Sequence, residues 1–167
     1  TATCSFTVSV ADAENPTITC PANKAVNTDS NVCGAVVNYV VSSSDNCVGQ
    51  VVVITTGLSS GSVFPLGSTT NVFKVTDASG NTATCSFIVS VTDAQNPNAV
   101  CKNKSVTLSG GTASIVSGDV NNGSTDACGI ASLSVSKTTF NCGNIGANPV
   151  VLTVTDNNGN SSTCGAT

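Results

Sequence analysis

The sequence has no His, no Trp, no Met and no Arg. Without His it lacks the usual general acid–base of neutral pH, so an enzyme is not expected. Its cations are five lysines, Lys24, Lys74, Lys102, Lys104 and Lys137, against nine acids, for a net charge of −4. A nucleic-acid binder needs a basic face, and these lysines cannot build one. No run of about 18 apolar residues exists, so no membrane insertion is expected. The chain begins at Thr1 without a secretory leader pattern and reads as processed or excerpted. Large aromatics are scarce, with five Phe and one Tyr in 167 residues. Small domains with so little aromatic burial need covalent or metal help.

What is present points to strands. Val (25) and Thr (23) are both β-branched and favour pleated backbone. Ser, Thr and Asn total 65 residues, so the surface is polar but nearly uncharged. The mean hydropathy of +0.24 is that of a chain that folds.

A repeat organises the chain. Residues 1–16, TATCSFTVSVADAENP, match residues 82–97, TATCSFIVSVTDAQNP, at 13 of 16 positions with an offset of 81. The same offset aligns Cys20 with Cys101 and Asp45-Asn46-Cys47 with Asp126-Ala127-Cys128. Near the end, TDASGNTATC (76–85) resembles TDNNGNSSTC (155–164) at offset 79. Three parts follow: residues 1–12 as the last strand of a preceding repeat, 16–93 as one repeat, and 97–167 as a second that lacks its last strand. In CSFIVSV the alternation places Cys85, Phe87, Val89 and Val91 on one face. Phe73 and Val75 share a face, as do Val150, Leu152 and Val154. Turn residues recur between such runs at the spacing of a seven-stranded β-sandwich, and no helix is expected.

Nine cysteines divide as Cys4 alone, then Cys20, Cys33, Cys47 and Cys85, then Cys101, Cys128, Cys142 and Cys164. Four per repeat reads as a disulfide framework in an oxidising compartment. Zinc is not expected, because CxxC pairs and His are both missing. Four cysteines allow three connectivities. Sandwich topology suggests Cys47–Cys85 with Cys20–Cys33, and by analogy Cys128–Cys164 with Cys101–Cys142.

Cys20-Pro21, Cys33-Gly34-Ala35, Asp45-Asn46-Cys47, Phe64-Pro65-Leu66-Gly67, Thr76-Asp77 with Gly80-Asn81, and Cys85-Ser86-Phe87 together resemble the HYR (hyalin repeat) module. Residues 97–167 resemble a divergent copy that keeps TDxxGN and DxC but lacks FPLG. The resemblance implies tandem immunoglobulin-like sandwiches, extracellular or cell-surface placement and a role in adhesion. The Thr/Asn/Val-rich character is similar to that of giant repetitive surface adhesins of gliding bacteria.

Seven acids fall at equivalent places. Asp12, Glu14 and Asp93 lie in linkers, Asp45 and Asp126 in the DxC loops, Asp77 and Asp156 in the TDxxGN loops. In an immunoglobulin-like sandwich these places share one end. Asp12, Glu14, Asp45 and Asp77, with Asn15 and Asn81, are therefore expected to converge, and Asp93, Asp126 and Asp156 likewise, with Asn96 and Asn160. Two readings stay open: oxygen ligands for Ca²⁺, or turn chemistry, since Asp-x-x-Gly-Asn is a good hairpin turn. Phe64 and Tyr39 are expected in the core rather than on a ligand platform.

The expected function is a structural or adhesive extracellular repeat, in a stalk or filament. The alternative is an adhesin module that binds glycan or protein through its end loops. Partners follow from the ends. The orphan strand 4–10 either completes a neighbouring copy head to tail, or belongs to an array that continues beyond this sequence.

Overall fold

The computed structural model describes residues 1–167. Its strands are β1 (Thr17–Thr19), β2 (Lys24–Asn27), β3 (Gly34–Val36), β4 (Ser42–Ser44), β5 (Val51–Thr56), β6 (Val63–Pro65), β7 (Gly67–Thr76), β8 (Thr82–Thr92), β9 (Thr112–Ser114), β10 (Ile130–Val135), β11 (Thr139–Asn141), β12 (Val150–Asp156) and β13 (Ser161–Ala166). Helix is confined to one turn, α1 (Ser117–Val120), and a 3₁₀ turn at Cys142–Asn144, which the sequence did not announce. No helix is long and apolar enough to cross a membrane. The chain divides into two compact units. Unit 1 holds Thr1–Val26 and Ala35–Val91; unit 2 holds Asn27–Gly34 and Thr92–Thr167. The short loop 27–34 thus groups with unit 2, and residues 1–12 group with unit 1. Residues 1–16 form no strand, and residues 1–10 are exposed throughout.

Unit 1 is organised by β7 and β8, antiparallel over ten paired positions, in a sheet of order β2-β8-β7-β5. Two small sheets, β1-β4 and β3-β6, supply further strands. Alternation along β8 buries Phe87, Val89 and Val91 and leaves Ile88 at the surface. These side chains pack with Ala35, Val37, Phe64 and Phe73. Each large apolar side chain buried there contributes roughly 1.5–3 kcal/mol. Tyr39 lies edge-on to Phe87 at 4.9 Å and to Phe73 at 5.8 Å. Its phenol donates to the Leu58 carbonyl, and burial pushes its pKa up. Tyr39 and Phe64 are thus core residues, as their neighbours in sequence suggested. β5 is an edge strand, and Val51, Val52, Val53 and Ile54 all remain exposed.

Unit 2 has the sheet β10-β12-β13 and the pair β9-β11. Val150, Leu152 and Val154 form the buried face of β12 and pack with Ile115, Val120 and Ala166. The two cores are separate clusters of side chains.

The disulfides are Cys20–Cys85, Cys33–Cys128 and Cys101–Cys164, while Cys4, Cys47 and Cys142 carry free thiols. This corrects all four pairings drawn from topology. Neither Cys47 nor Cys142 is in a disulfide, and Cys20 and Cys33 do not pair with each other. The topological guess placed Cys85 at the start of the last strand, at the domain's end. In fact β8 begins at Thr82, and Cys85 lies opposite Phe73. The same alternation that buries Phe87 turns Cys85 inward, where Cys20 packs against the same core. The Cα atoms of that pair are 5.7 Å apart, within bridging range. Cys101 and Cys164 repeat the arrangement in unit 2, with Cα atoms 5.8 Å apart. Three disulfides in a chain of this size mark an oxidising setting.

Candidate functional site

The TDxxGN hairpin connects β7 to β8. Gly80 adopts φ +94°, which lets the chain turn within four residues. Asp77 Oδ1 accepts from the amides of Ser79 (2.9 Å) and Asn81 (2.7 Å). Its Oδ2 accepts from Asn81 Nδ2 at 2.8 Å. Burial pushes the Asp77 carboxyl up, but hydrogen bonds from Asn81, Gly80 and Ser79 outweigh it and hold the pKa below its ordinary value. Turn chemistry therefore operates in full at Asp77.

It does not account for the whole site. Asn81 Nδ2 also donates to the Asp12 carbonyl at 3.2 Å, which fastens the linker peptide onto the hairpin. Asp12 Oδ1 accepts from the Glu14 amide at 3.0 Å, and Asp45 Oδ2 from the Cys47 amide at 3.2 Å. Each is an Asx turn that fixes its carboxylate. The outcome is a cluster in which oxygens of Asp12, Asp45 and Asp77 lie within 4.8 Å of one another. Two buried oxygens in it, Asp12 Oδ2 and Asp45 Oδ1, receive no N–H or O–H donor. The ion pair of the protein joins Lys104 to Asp119 and involves none of these carboxylates. The negative field falls on the adjacent Cys47, whose thiol pKa is raised, first by its interaction with Asp12 and further by Asp45 and Asp77.

Unit 2 carries a parallel arrangement. Asp156 takes the place of Asp77, accepting from the amides of Asn158 and Asn160, both at 2.8 Å. Burial raises its pKa, and the hydrogen bonds of Asn160, Asn158 and Gly159 lower it further, so the net direction is down. Asn160 Nδ2 donates to the Asp93 carbonyl at 3.3 Å. Asp126 Oδ1 accepts from the Cys128 amide at 2.7 Å. Here the close group is Asp93, Asp126 and Cys128, and Asp93 Oδ2 lacks a donor. Cys128 is oxidised and offers no thiolate.

Some expected members of the two groups are placed otherwise. Glu14 lies outside the first cluster and accepts from Asn46 Nδ2 at 2.9 Å. Asp156 lies outside the second, although its hairpin bonds are those of Asp77, and Cys128 completes that group instead. Asn81 and Asn160 present their amide N–H groups to the linkers. The residue that sequence reasoning missed is Gln95. It donates to the carbonyls of Thr28 and Asp29 and accepts from the Asn31 amide, so it holds the loop 27–34 within unit 2. Its signal was the Glu14/Gln95 difference between otherwise matching linkers.

A set of hard oxygens with orphaned lone pairs suits Ca²⁺, which takes six to eight oxygen ligands and tolerates irregular geometry. The Asp12–Asp45–Asp77 cluster fits that requirement better than its counterpart, having three carboxylates and two orphaned oxygens.

Known proteins give the following likenesses. A curated relative, "Hyalin" of Strongylocentrotus purpuratus, is 35% identical over 91 residues, which is 53% of this chain and 8% of that protein. Among solved structures, protocadherin gamma B7 extracellular cadherin domains 1–4 align over 91% of this chain and 49% of theirs, at TM-score 0.43 and 11% identity. Human CDH23 EC21-23 aligns over 92% of this chain and 63% of its own, at TM-score 0.42 and 10% identity. Scores this low carry no argument here. The family model described as the HYR domain matches residues 11–91, which span the linker, the Asp45 loop, the Asp77 hairpin and the Cys20–Cys85 bridge. Residues 11–91 are an HYR repeat.

Proposed function

We propose that the protein is a structural and adhesive module of an extracellular repeat array. In this reading residues 97–167 are a second, divergent repeat. The Asp12–Asp45–Asp77 cluster binds Ca²⁺ and so stiffens the linker that enters unit 1. The Asp93–Asp126 pair offers a weaker site of the same type. Neighbouring repeats are the first partners of such a module, and surface glycan or protein the second. No catalytic role is assigned, because the acids are committed to turns and to the linker junctions.

The observation that carries the reading is the pair of orphaned oxygens. Buried polar atoms normally find partners. Four side-chain atoms in the protein do not, and three of them, Asp12 Oδ2, Asp45 Oδ1 and Asp93 Oδ2, belong to these two acid groups. A divalent cation would satisfy them and offset the clustered charge.

Calorimetric titration with Ca²⁺ tests it. Extracellular sites bind at about 10⁻⁴–10⁻³ M. At about 2 mM Ca²⁺ the linkage gain is then on the order of 1–2 kcal/mol, read as a higher melting temperature. Asp45→Asn removes a charge from the proposed site and keeps an Asx-type acceptor for the Cys47 amide, and is expected to abolish most of the gain. No binding heat and no thermal shift at a several-fold higher concentration would remove calcium from the account.

A further inference from the structure

Cys47 and Cys128 occupy equivalent positions, 81 residues apart. Their surroundings match in two respects. Each amide is held by the carboxylate two residues earlier, Asp45 or Asp126. Each lies beside a linker aspartate, Asp12 or Asp93, whose carbonyl is fastened by the hairpin asparagine, Asn81 or Asn160. They differ in what they hold. Cys128 is bonded to Cys33, and the loop around Cys33 is seated on the linker. Thr28 Oγ1 donates to Asp93 Oδ1 at 3.0 Å, and Gln95 contacts Thr28, Asp29 and Asn31. Asn31, at φ +60°, and the 2.7 Å bond from Asp29 N to Gly34 O shape this loop for presentation of Cys33. At unit 1, Cys47 is an exposed free thiol.

We propose that Cys47 is a covalent docking point for a cysteine-bearing loop of the Asn27–Gly34 type, contributed by another repeat of this kind. That loop would bond to Cys47 as Cys33 bonds to Cys128. The inference rests on the reading of these units as repeats of an array, and it is independent of calcium. One feature of unit 1 supports the seat besides the thiol. Asp12 Oδ1 accepts the Glu14 amide but no loop hydroxyl, where Asp93 Oδ1 accepts both the Gln95 amide and the Thr28 hydroxyl. Repeats linked in this way would form a chain that resists extension beyond what noncovalent contacts sustain.

The chemistry is thiol–disulfide exchange. The Cys47 thiol loses its proton to solvent, and the thiolate attacks the loop cysteine's sulfur in a mixed disulfide with a small thiol such as glutathione. The Cys47–loop S–S bond forms, the loop–glutathione S–S bond breaks, and glutathione leaves as a thiolate that takes up a proton. Glutathione disulfide, or a protein disulfide of the oxidising compartment, is the oxidant that first charges the loop cysteine. It accepts the two electrons.

The linkers predict a tunable affinity. Gln95 donates two hydrogen bonds to loop carbonyls, at 3.3 and 2.8 Å. Glu14 can accept from an Asn31-like amide but, when ionised, cannot donate. Glu14→Gln should therefore make the unit 1 seat resemble that of unit 2.

The test uses the whole chain, in EDTA, with the peptide Asn-Thr-Asp-Ser-Asn-Val-Cys-Gly (residues 27–34) supplied as its glutathione mixed disulfide. A scrambled peptide of the same composition is the control. Peptide mapping without reduction reads the yield at Cys47, Cys4 and Cys142, which are all exposed free thiols. Capture at Cys47 is expected to exceed the scrambled peptide by about tenfold, the worth of roughly two hydrogen bonds. E14Q should raise it further. Equal capture at the three thiols, or equal capture of native and scrambled peptide at Cys47, would overturn the proposal. So would a Glu14→Gln yield that does not exceed wild type. A calcium titration that fails would leave this result unaffected, so the two readings fail separately.

Discussion

Removal of the Cys20–Cys85 bridge is the most informative perturbation of unit 1. The bridge closes a loop of 65 residues. Loop-closure entropy for that length is worth about 4.3 kcal/mol. Both sulfurs also pack against the core of Phe73, Phe87 and Val89, so Ser replacements place two hydroxyls at an apolar boundary and add roughly 1 kcal/mol or more. The double variant Cys20→Ser with Cys85→Ser is therefore expected to lose about 5 kcal/mol or more, a large share of the stability of a domain this small. The protein supplies its own probe. It has one tyrosine and no tryptophan, and Tyr39 sits edge-on to Phe73 and Phe87. Tyrosine fluorescence thus reports on the core of unit 1. With an m value of about 2 kcal/mol/M in urea, the Tyr39 transition should fall by about 2.5 M. A fall equivalent to less than about 1 kcal/mol would refute the reasoning, being no more than the hydroxyl contribution alone. A disulfide map of the wild type linking Cys85 to Cys47 would refute it directly.

Two further predictions concern local structure. The hairpin carboxylates Asp77 and Asp156 have folded-state pKa values below the ordinary 3.8. Their stabilisation is complete above 3.8 and is lost as pH falls below that value toward the depressed folded pKa. Acid titration of the Tyr39 transition should therefore show Asp77→Asn to be less acid-sensitive than wild type, and a parallel pH dependence would contradict this. Gly57 sits at φ +98°, and a Cβ there would lie 2.8 Å from Asn71 Cα and closer still to its amide oxygen. That oxygen holds the Leu58 amide at 2.8 Å. Gly57→Ala should cost about 1–3 kcal/mol in urea unfolding, from backbone strain and the displaced hydrogen bond, and an unchanged midpoint would contradict it.

Several elements were legible in the chain because their causes are local. Alternation in CSFIVSV announced which face of β8 is buried, since side chains of a strand point to opposite sides in turn. The Asp-x-x-Gly-Asn spacing announced the hairpins, because it needs only a capping carboxylate and a residue tolerant of positive φ. The convergence of Asp12 and Asp45 with Asp77 followed from the expected sandwich ends, but Glu14 and Asp156 did not join their groups. Glu14 was drawn to Asn46, and in unit 2 Cys128 rather than Asp156 lies close to Asp93 and Asp126.

By itself, then, the sequence determined that the chain is β, that matching segments recur at an offset of 81 residues, and which faces of β8 and β12 are buried. These properties depend on periodicity and composition, which a linear chain displays. The tertiary structure alone decided which cysteines pair, that residues 27–34 belong to unit 2, and which carboxylate oxygens are left without donors. Each of these depends on distances of a few ångströms between residues up to 95 apart in the chain. Spacing along a sequence does not constrain such distances until the strands are paired and the side chains are turned inward or outward.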